Sequence, residues 1–231
     1  GSSISLPDAR GLFCQFGGAP AVAASHSSRE LVMCVVPPAA NGLPGAVPVR
    51  LVNNDAVYSV SVAYTYRAEI EIERVHPVLG ARDGGTLLTL YGTGFLETST
   101  TRCRFALVDV PARLLAPGQL ECRTPMPATS GYVMLEVSTN GQDFSSSGVQ
   151  YEYLRPVSVL AVEPSQGPTG GGTFVNVSGS GIPARSAQLG YVWCRFNTTV
   201  VAAAWVSTSE VHCVAPSHAA GMVVVELTVN E

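Results

Sequence analysis

One phrase occurs twice in this chain and half of it a third time, and that repetition constrains the fold more than any other feature. Pro77, Gly80, Gly84, Gly85, Thr86, Gly92 and Gly94 precede Cys103-Arg104-Phe105 and then Cys122-Arg123-Thr124-Pro125. Pro164, Gly167, Gly171, Gly172, Thr173, Gly179 and Gly181 recur in the same order before Cys194-Arg195-Phe196 and Cys213-Val214-Ala215-Pro216. Upstream, Cys14-Gln15-Phe16 and Cys34-Val35-Val36-Pro37 supply the cysteine half without the glycine half. The period of about 90 residues matches one small β-sandwich and is far too long for a solenoid unit, so each repeat reads as a domain.

The repeats predict a partial domain over residues 1–68 that lacks its N-terminal strands, a complete domain over 73–154, and a third over 157–231 that lacks its last strand. Leu227-Thr228-Val229-Asn230-Glu231 is matched to Glu136-Val137-Ser138-Thr139-Asn140, and the segment from Gln142 to Tyr153 has no counterpart after it. The expectation is a segment of a longer chain with more repeats on both sides. Gly1-Ser2-Ser3 aligns with the loop near Gly181 and also fits a tag remnant.

Composition suits an all-β fold. Charged residues make up only 13%, and 23 glycines with 16 prolines favour short strands joined by tight turns over long amphipathic helices. No segment reads as a helix. Thr86–Leu90, Val133–Val137 and Val223–Val229 are short, β-branched and bounded by turn residues, as core strands are. Tyr58–Tyr66 alternates large apolar and small polar residues, and Val149–Tyr153 is its partner in the second repeat. Gly84-Gly85 and Gly171-Gly172 stand just before strands, where a turn needs positive φ or close backbone approach. A phosphate-binding role fails, because no Gly-Lys-Ser/Thr ending opens a helix.

Six cysteines, two per repeat at nearly equal spacing, favour three intradomain disulfides, Cys14–Cys34, Cys103–Cys122 and Cys194–Cys213, over six free buried thiols. Each would stabilise its domain by roughly 3 kcal/mol through the loop it closes. Zinc fits poorly: there is no Cys-x-x-Cys, and His212 beside Cys213 reads as a solvent-facing strand residue. Disulfides imply an oxidising compartment, extracellular or cell-surface. Two triplets, Asn176-Val177-Ser178 and Asn197-Thr198-Thr199, fit the N-glycosylation pattern. Asn197 falls in a polar turn where an acceptor is accessible, whereas Asn176 lies on an expected strand.

Pro-x-x-Gly-x-x-x-Gly-Gly-Thr, Gly-x-Gly-Phe, Cys-Arg-Phe and Cys-x-x-Pro together resemble the IPT/TIG domain, an immunoglobulin-like fold. That family occurs in plexins, the hepatocyte growth factor receptor, fibrocystin and other large surface proteins, and in a Rel-type transcription-factor branch. The second repeat matches throughout, the third until it is cut off, and the first from its cysteines onward. Ile182 stands where the family favours phenylalanine, and about four extra residues before Cys194 predict a longer loop there. The resemblance implies tandem immunoglobulin-like β-sandwiches, and its cell-surface branch carries the same cysteine pair.

Function follows less directly, because such sandwiches host many unrelated activities. No catalytic residue, metal ligand or cofactor site is expected. His26, His76, His212 and His218 lie in no nucleophile elbow or metal-ligand pair. Asp55, Asp83, Asp109 and Asp143 are placed in turns, and Glu69, Glu71 and Glu73 alternate with Ile70 and Ile72 as one solvated strand face or linker, though a calcium site at a junction stays open. Nucleic acid is excluded by a net charge of −4 with scattered arginines. There remains a non-catalytic binding, adhesion or spacer segment of a cell-surface receptor, with protein partners, neighbouring repeats or a glycan as what it meets. It would touch a membrane only through parts of a parent chain. The alternatives are a segment of an extracellular filament, wall or ciliary coat, and an accessory module of a secreted enzyme. Linkers such as Leu154-Arg155-Pro156 predict a semi-rigid rod. Tyr132, Phe144 and Trp205 are read as core or hinge packing rather than contact residues. Trp193 is placed near the disulfide or on the opposite strand face.

Overall fold

A computed structural model describes residues 11–26, 31–53, 56–57 and 59–230. Gly1-Ser2-Ser3, Asp55 and Tyr58 lie outside the described residues. The chain forms two compact units, Gly1–Glu69 and Ile70–Glu231. The second unit holds both glycine-bearing repeats.

In the second repeat the strands run in the order Glu71–His76, Leu87–Thr93, Gln119–Arg123, Val108–Ala116, Arg102–Phe105, Gly131–Ser138, Gln150–Leu154 and Leu79–Ala81. Neighbours are antiparallel except the last pair, in which Leu79–Ala81 runs parallel to Gln150–Leu154. Val108–Ala116 pairs with Arg102–Phe105 at its start and with Gln119–Arg123 at its end, so one long strand passes from the first face of the sandwich to the second. Alternation then buries one residue in two. Leu88, Leu90, Leu120 and Cys122 come from one side and Cys103, Phe105, Leu135, Val137 and Tyr151 from the other, and they close a single core.

Two glycines of the phrase explain its local geometry. Gly84 has φ +74°, and a Cβ there would lie 2.7 Å from the carbonyl carbon of Pro125; Gly171, at φ +75°, stands in the same relation to Pro216 at 2.6 Å. The turn entering the sheet thus lies directly on the Cys-x-x-Pro backbone, which only glycine permits. Gly92 and Gly179 sit where the first strand bulges, and a Cβ at either would strike the carbonyl of Glu71 or Ser158.

The third repeat repeats the order through Ser158–Glu163, Phe174–Ser180, Glu210–Val214, Thr199–Ser207, Trp193–Phe196 and Val225–Thr228. Its register corrects the expected match by one residue. Phe105 faces Leu135 and Phe196 faces Val225, so Glu226 corresponds to Glu136 rather than to the residue before it. A one-residue slip would turn every side chain to the other face. The observed register keeps Glu226 outward, where it pairs with Arg195. The extra residues before Cys194 correct a second expectation: they form a short helix, Ala184–Gln188, instead of a plain loop. Alanine-rich sequence between Pro183 and Gly190, whose φ is +73°, supplies its start and its left-handed C-terminal cap. Ile182 is fully buried, in the place Phe95 occupies in the second repeat.

In the first unit, Phe13–Phe16 pairs with Val22–Ala23 and Gly45–Asn53, and Gly45–Asn53 also pairs with Ala56–Val57 and Val62–Tyr66. A two-stranded hairpin, Ser25–His26 with Val32–Met33, stands apart from that sheet. Cys14, Phe16 and Ala19 form the buried centre.

Candidate functional site

The cysteines pair as Cys14–Cys34, Cys103–Cys122 and Cys194–Cys213, with Cα atoms 6.3, 6.4 and 6.4 Å apart. Cys103, Cys122, Cys194 and Cys213 are at most 1% exposed and tie the two faces of each sandwich together across its core. Among the described residues no three of His, Cys, Asp and Glu gather as metal ligands do. His212 lies on the outward face of its strand, 3.1 Å from Glu210 and beside the Phe174 ring. Glu71 and Glu73 are exposed on a strand whose Ile72 is buried.

Asp83 and Asp143 lie outside the strands, but Asp109 is a strand residue, which corrects the turn reading. Both of its carboxylate oxygens accept from Arg104, at 2.6 and 3.0 Å, and that bidentate bond holds the Asp109 carboxyl below the usual carboxylate range. The Phe144 ring stacks on a face of the guanidinium, its centre 3.4 Å from the Arg104 Cζ. This cluster is an outer clamp on the strand hairpin, exposed on its far side.

The two sequons sit differently. Asn176 is exposed, facing outward from Phe174–Ser180. Asn197 is half-buried in a left-handed turn at φ +52°; its Oδ1 accepts the Val224 N–H at 2.9 Å and its Nδ2 lies 3.1 Å from His218 Nε2. The order of accessibility is therefore the reverse of the sequence reading.

Apolar, charged and aromatic groups meet at the join between the second and third repeats. Leu79 and Leu154 of the second repeat are buried within the third repeat's apolar cluster, beside Val157. Arg185, carried by the short helix, donates to Glu152 Oε2 at 2.9 Å and to the Tyr132 hydroxyl, and its guanidinium lies 5.2 Å from the Tyr132 ring centre. His76 Nδ1 lies 3.3 Å from the Tyr191 hydroxyl, with the two rings edge to face. Tyr132, although 56% exposed, is thus a hinge residue, and Trp205 packs in the third core with its indole N–H 3.4 Å from the Ile182 carbonyl. Trp193 lies on the strand face opposite Cys194. Sequence reasoning missed Arg185. The signal was the four-residue surplus itself, since an insertion at a domain end has a neighbour to reach.

Fold, disulfides and repetition define tandem immunoglobulin-like sandwiches. The IPT/TIG domain profile matches residues 71–153 and 156–231, and the chain belongs to that family. Mouse plexin-B2 is 29% identical over 157 residues, which is 68% of this chain and 8% of that protein. Human fibrocystin-L is 26% identical over 152 residues, 65% of this chain and 3% of that protein. The chain thus spans less than a tenth of these relatives. A solved structure of the plexin A4 extracellular region superposes with TM-score 0.51 at 16% identity, covering 90% of this chain and 18% of that one, a likeness of fold.

Proposed function

We propose that these repeats are a non-catalytic spacer and binding segment of a larger cell-surface ectodomain, working outside the cell through protein partners and neighbouring repeats. The join between the second and third repeats carries this reading. Its linker, Arg155-Pro156, has almost no slack, and buried leucines and a cross-repeat ion pair hold it, as a strut that sets distance and direction requires. Three buried or half-buried disulfides and the extracellular setting named for the plexin A4 structure support the compartment. Glycans belong at Asn176, and at Asn197 only if its amide gives up His218.

Intact mass of the chain secreted from animal cells tests the compartment. The expected result is a gain of about six hydrogens on reduction and a loss of glycan mass on enzymatic deglycosylation. Six free thiols with no glycan would overturn it and leave an intracellular scaffold.

A further inference from the structure

The outer face of one sheet is dressed differently in the second and third repeats, although its strands keep the same register. In the second repeat Arg113 and Glu121 pair across their strands at 3.1 Å, and Arg74 lies over the Tyr91 ring, 3.5 Å from its centre. Long side chains therefore cover the strands there. The places of Arg113, Glu121, Arg74 and Tyr91 are taken in the third repeat by Ala204, His212, Ala161 and Ser178. Three of these four are small and leave the strands open. Leu87 and Arg123 give way likewise to Phe174 and Val214, which are 58% and 49% exposed. At the centre of this barer face, where the second repeat has Thr89, stands Asn176 of the triplet Asn176-Val177-Ser178.

Phe174–Ser180 pairs with Ser158–Glu163 on one side and Glu210–Val214 on the other, so its backbone is held and the Asn176 side chain is turned outward. Residues two apart on a strand share a face about 6.6 Å from each other, which puts Phe174 one step from the Asn176 amide. The Phe174 ring meets His212 edge to face with centres 5.1 Å apart, and His212 Nε2 lies 3.1 Å from Glu210 Oε1. The ring is thus braced from the neighbouring strand. A glycan joined to Asn176 Nδ2 begins with N-acetylglucosamine, whose pyranose ring presents a row of C–H bonds on its face. Such bonds suit the negative face of an aromatic ring. The central position of the strand is no obstacle, because the sugar is added to the chain before its strands pair.

We propose that this face of the third repeat is covered by the chain's own sugar: the first N-acetylglucosamine on Asn176 lies on the Phe174 ring, and the face is not a docking surface for a protein. The inference rests on the reading that Asn176 carries a glycan, and adds where that glycan lies and what it does there. The sugar shields apolar surface around Phe174 and Val214, the task that Arg113, Glu121 and Arg74 perform in the second repeat. It also steadies the fold. Phe174 and Asn176 share a face only while their strand is extended within its sheet, so a contact between ring and sugar favours the folded repeat. Protein partners then meet the third repeat on its other faces.

The test uses the full chain secreted from animal cells that make only oligomannose glycans, trimmed by an endoglycosidase to a single N-acetylglucosamine per site, beside Asn176→Gln, Phe174→Ala and the double variant. The mass of the peptide that holds Asn176 gives its occupancy. In the parent chain the N-acetyl methyl resonance of that sugar moves upfield under the Phe174 ring, and in Phe174→Ala it returns to the position of the free sugar. Amide hydrogen exchange at Val177 and Val211, both fully buried, is slower by about threefold or more in the parent than in Asn176→Gln, and Phe174→Ala removes that difference. An occupied Asn176 with an unshifted methyl and the same exchange difference in both backgrounds overturns the packing and leaves the glycan itself standing. An unoccupied Asn176 overturns both. So does an untrimmed chain that dimerises and turns monomeric as Phe174→Ala overturn the packing, because the occupant of the face would then be a second copy.

Discussion

Tyr151 and Tyr153 are nearly inaccessible, yet each carries a phenol into the core of the second repeat. The Tyr153 hydroxyl is satisfied by the Pro125 carbonyl at 2.8 Å, so Tyr153→Phe removes one partner of a part-buried hydrogen bond and keeps the ring. We expect a loss of about 1 to 2 kcal/mol in urea unfolding, with the m-value unchanged. Burial pushes the Tyr151 hydroxyl up to about 12. An unfolded tyrosine ionises near pH 10, so between about pH 10 and pH 12 the unfolded chain releases a proton that the folded chain keeps. The stability this group contributes is therefore intact below pH 10 and lost as pH rises toward 12. Urea midpoints taken from neutral to strongly alkaline pH should begin to fall near pH 10, by at most about 1.4 kcal/mol per pH unit from this group.

At the scale of elements, the Gly-Gly turn separates two costs that sequence merges. Gly84 and Gly85 both have positive φ, +74° and +78°, but a Cβ on Gly84 would meet the Pro125 backbone while a Cβ on Gly85 meets nothing within 4 Å. Gly85→Ala should cost about 1 to 2 kcal/mol in thermal unfolding, the strain of the left-handed backbone alone, and Gly84→Ala clearly more. Equal losses would show that the turn yields. Strands were legible here because period-two alternation and turn glycines are local signals, and the outward Glu71 and inward Ile72 follow that reading. The short helix was not. Five residues are too few for a helical period to emerge, and Ala184–Gln188 is held by its neighbours more than by propensity. The one-residue slip at Glu226 was hidden for a related reason: the loop after Pro216 differs in length from the one after Pro125, and loop length leaves no mark on composition.

For the whole molecule, two forces act at the join of the second and third repeats, and their sizes rank them. The Arg185–Glu152 pair is partly solvated, with side chains 41% and 20% exposed, and such pairs contribute between zero and about 1 kcal/mol. Leu79 is fully buried, and removing a side chain of that size costs about 2 to 5 kcal/mol. Calorimetry should therefore find Arg185→Ala within about 1 kcal/mol of the parent chain and Leu79→Ala well below it. Apolar burial holds the join. The sequence by itself determined the repeats, the all-β sandwiches, the cysteine partners and the strand faces outside Val225–Thr228, because glycine, proline and alternating side chains act on the backbone within a few residues of themselves. Only the tertiary structure decided that Arg185 reaches Glu152, that Leu79 and Leu154 sink into the next repeat, and that Asn176 is more open than Asn197. Those outcomes depend on which surfaces meet after the chain has folded, and distance along the chain carries no record of that.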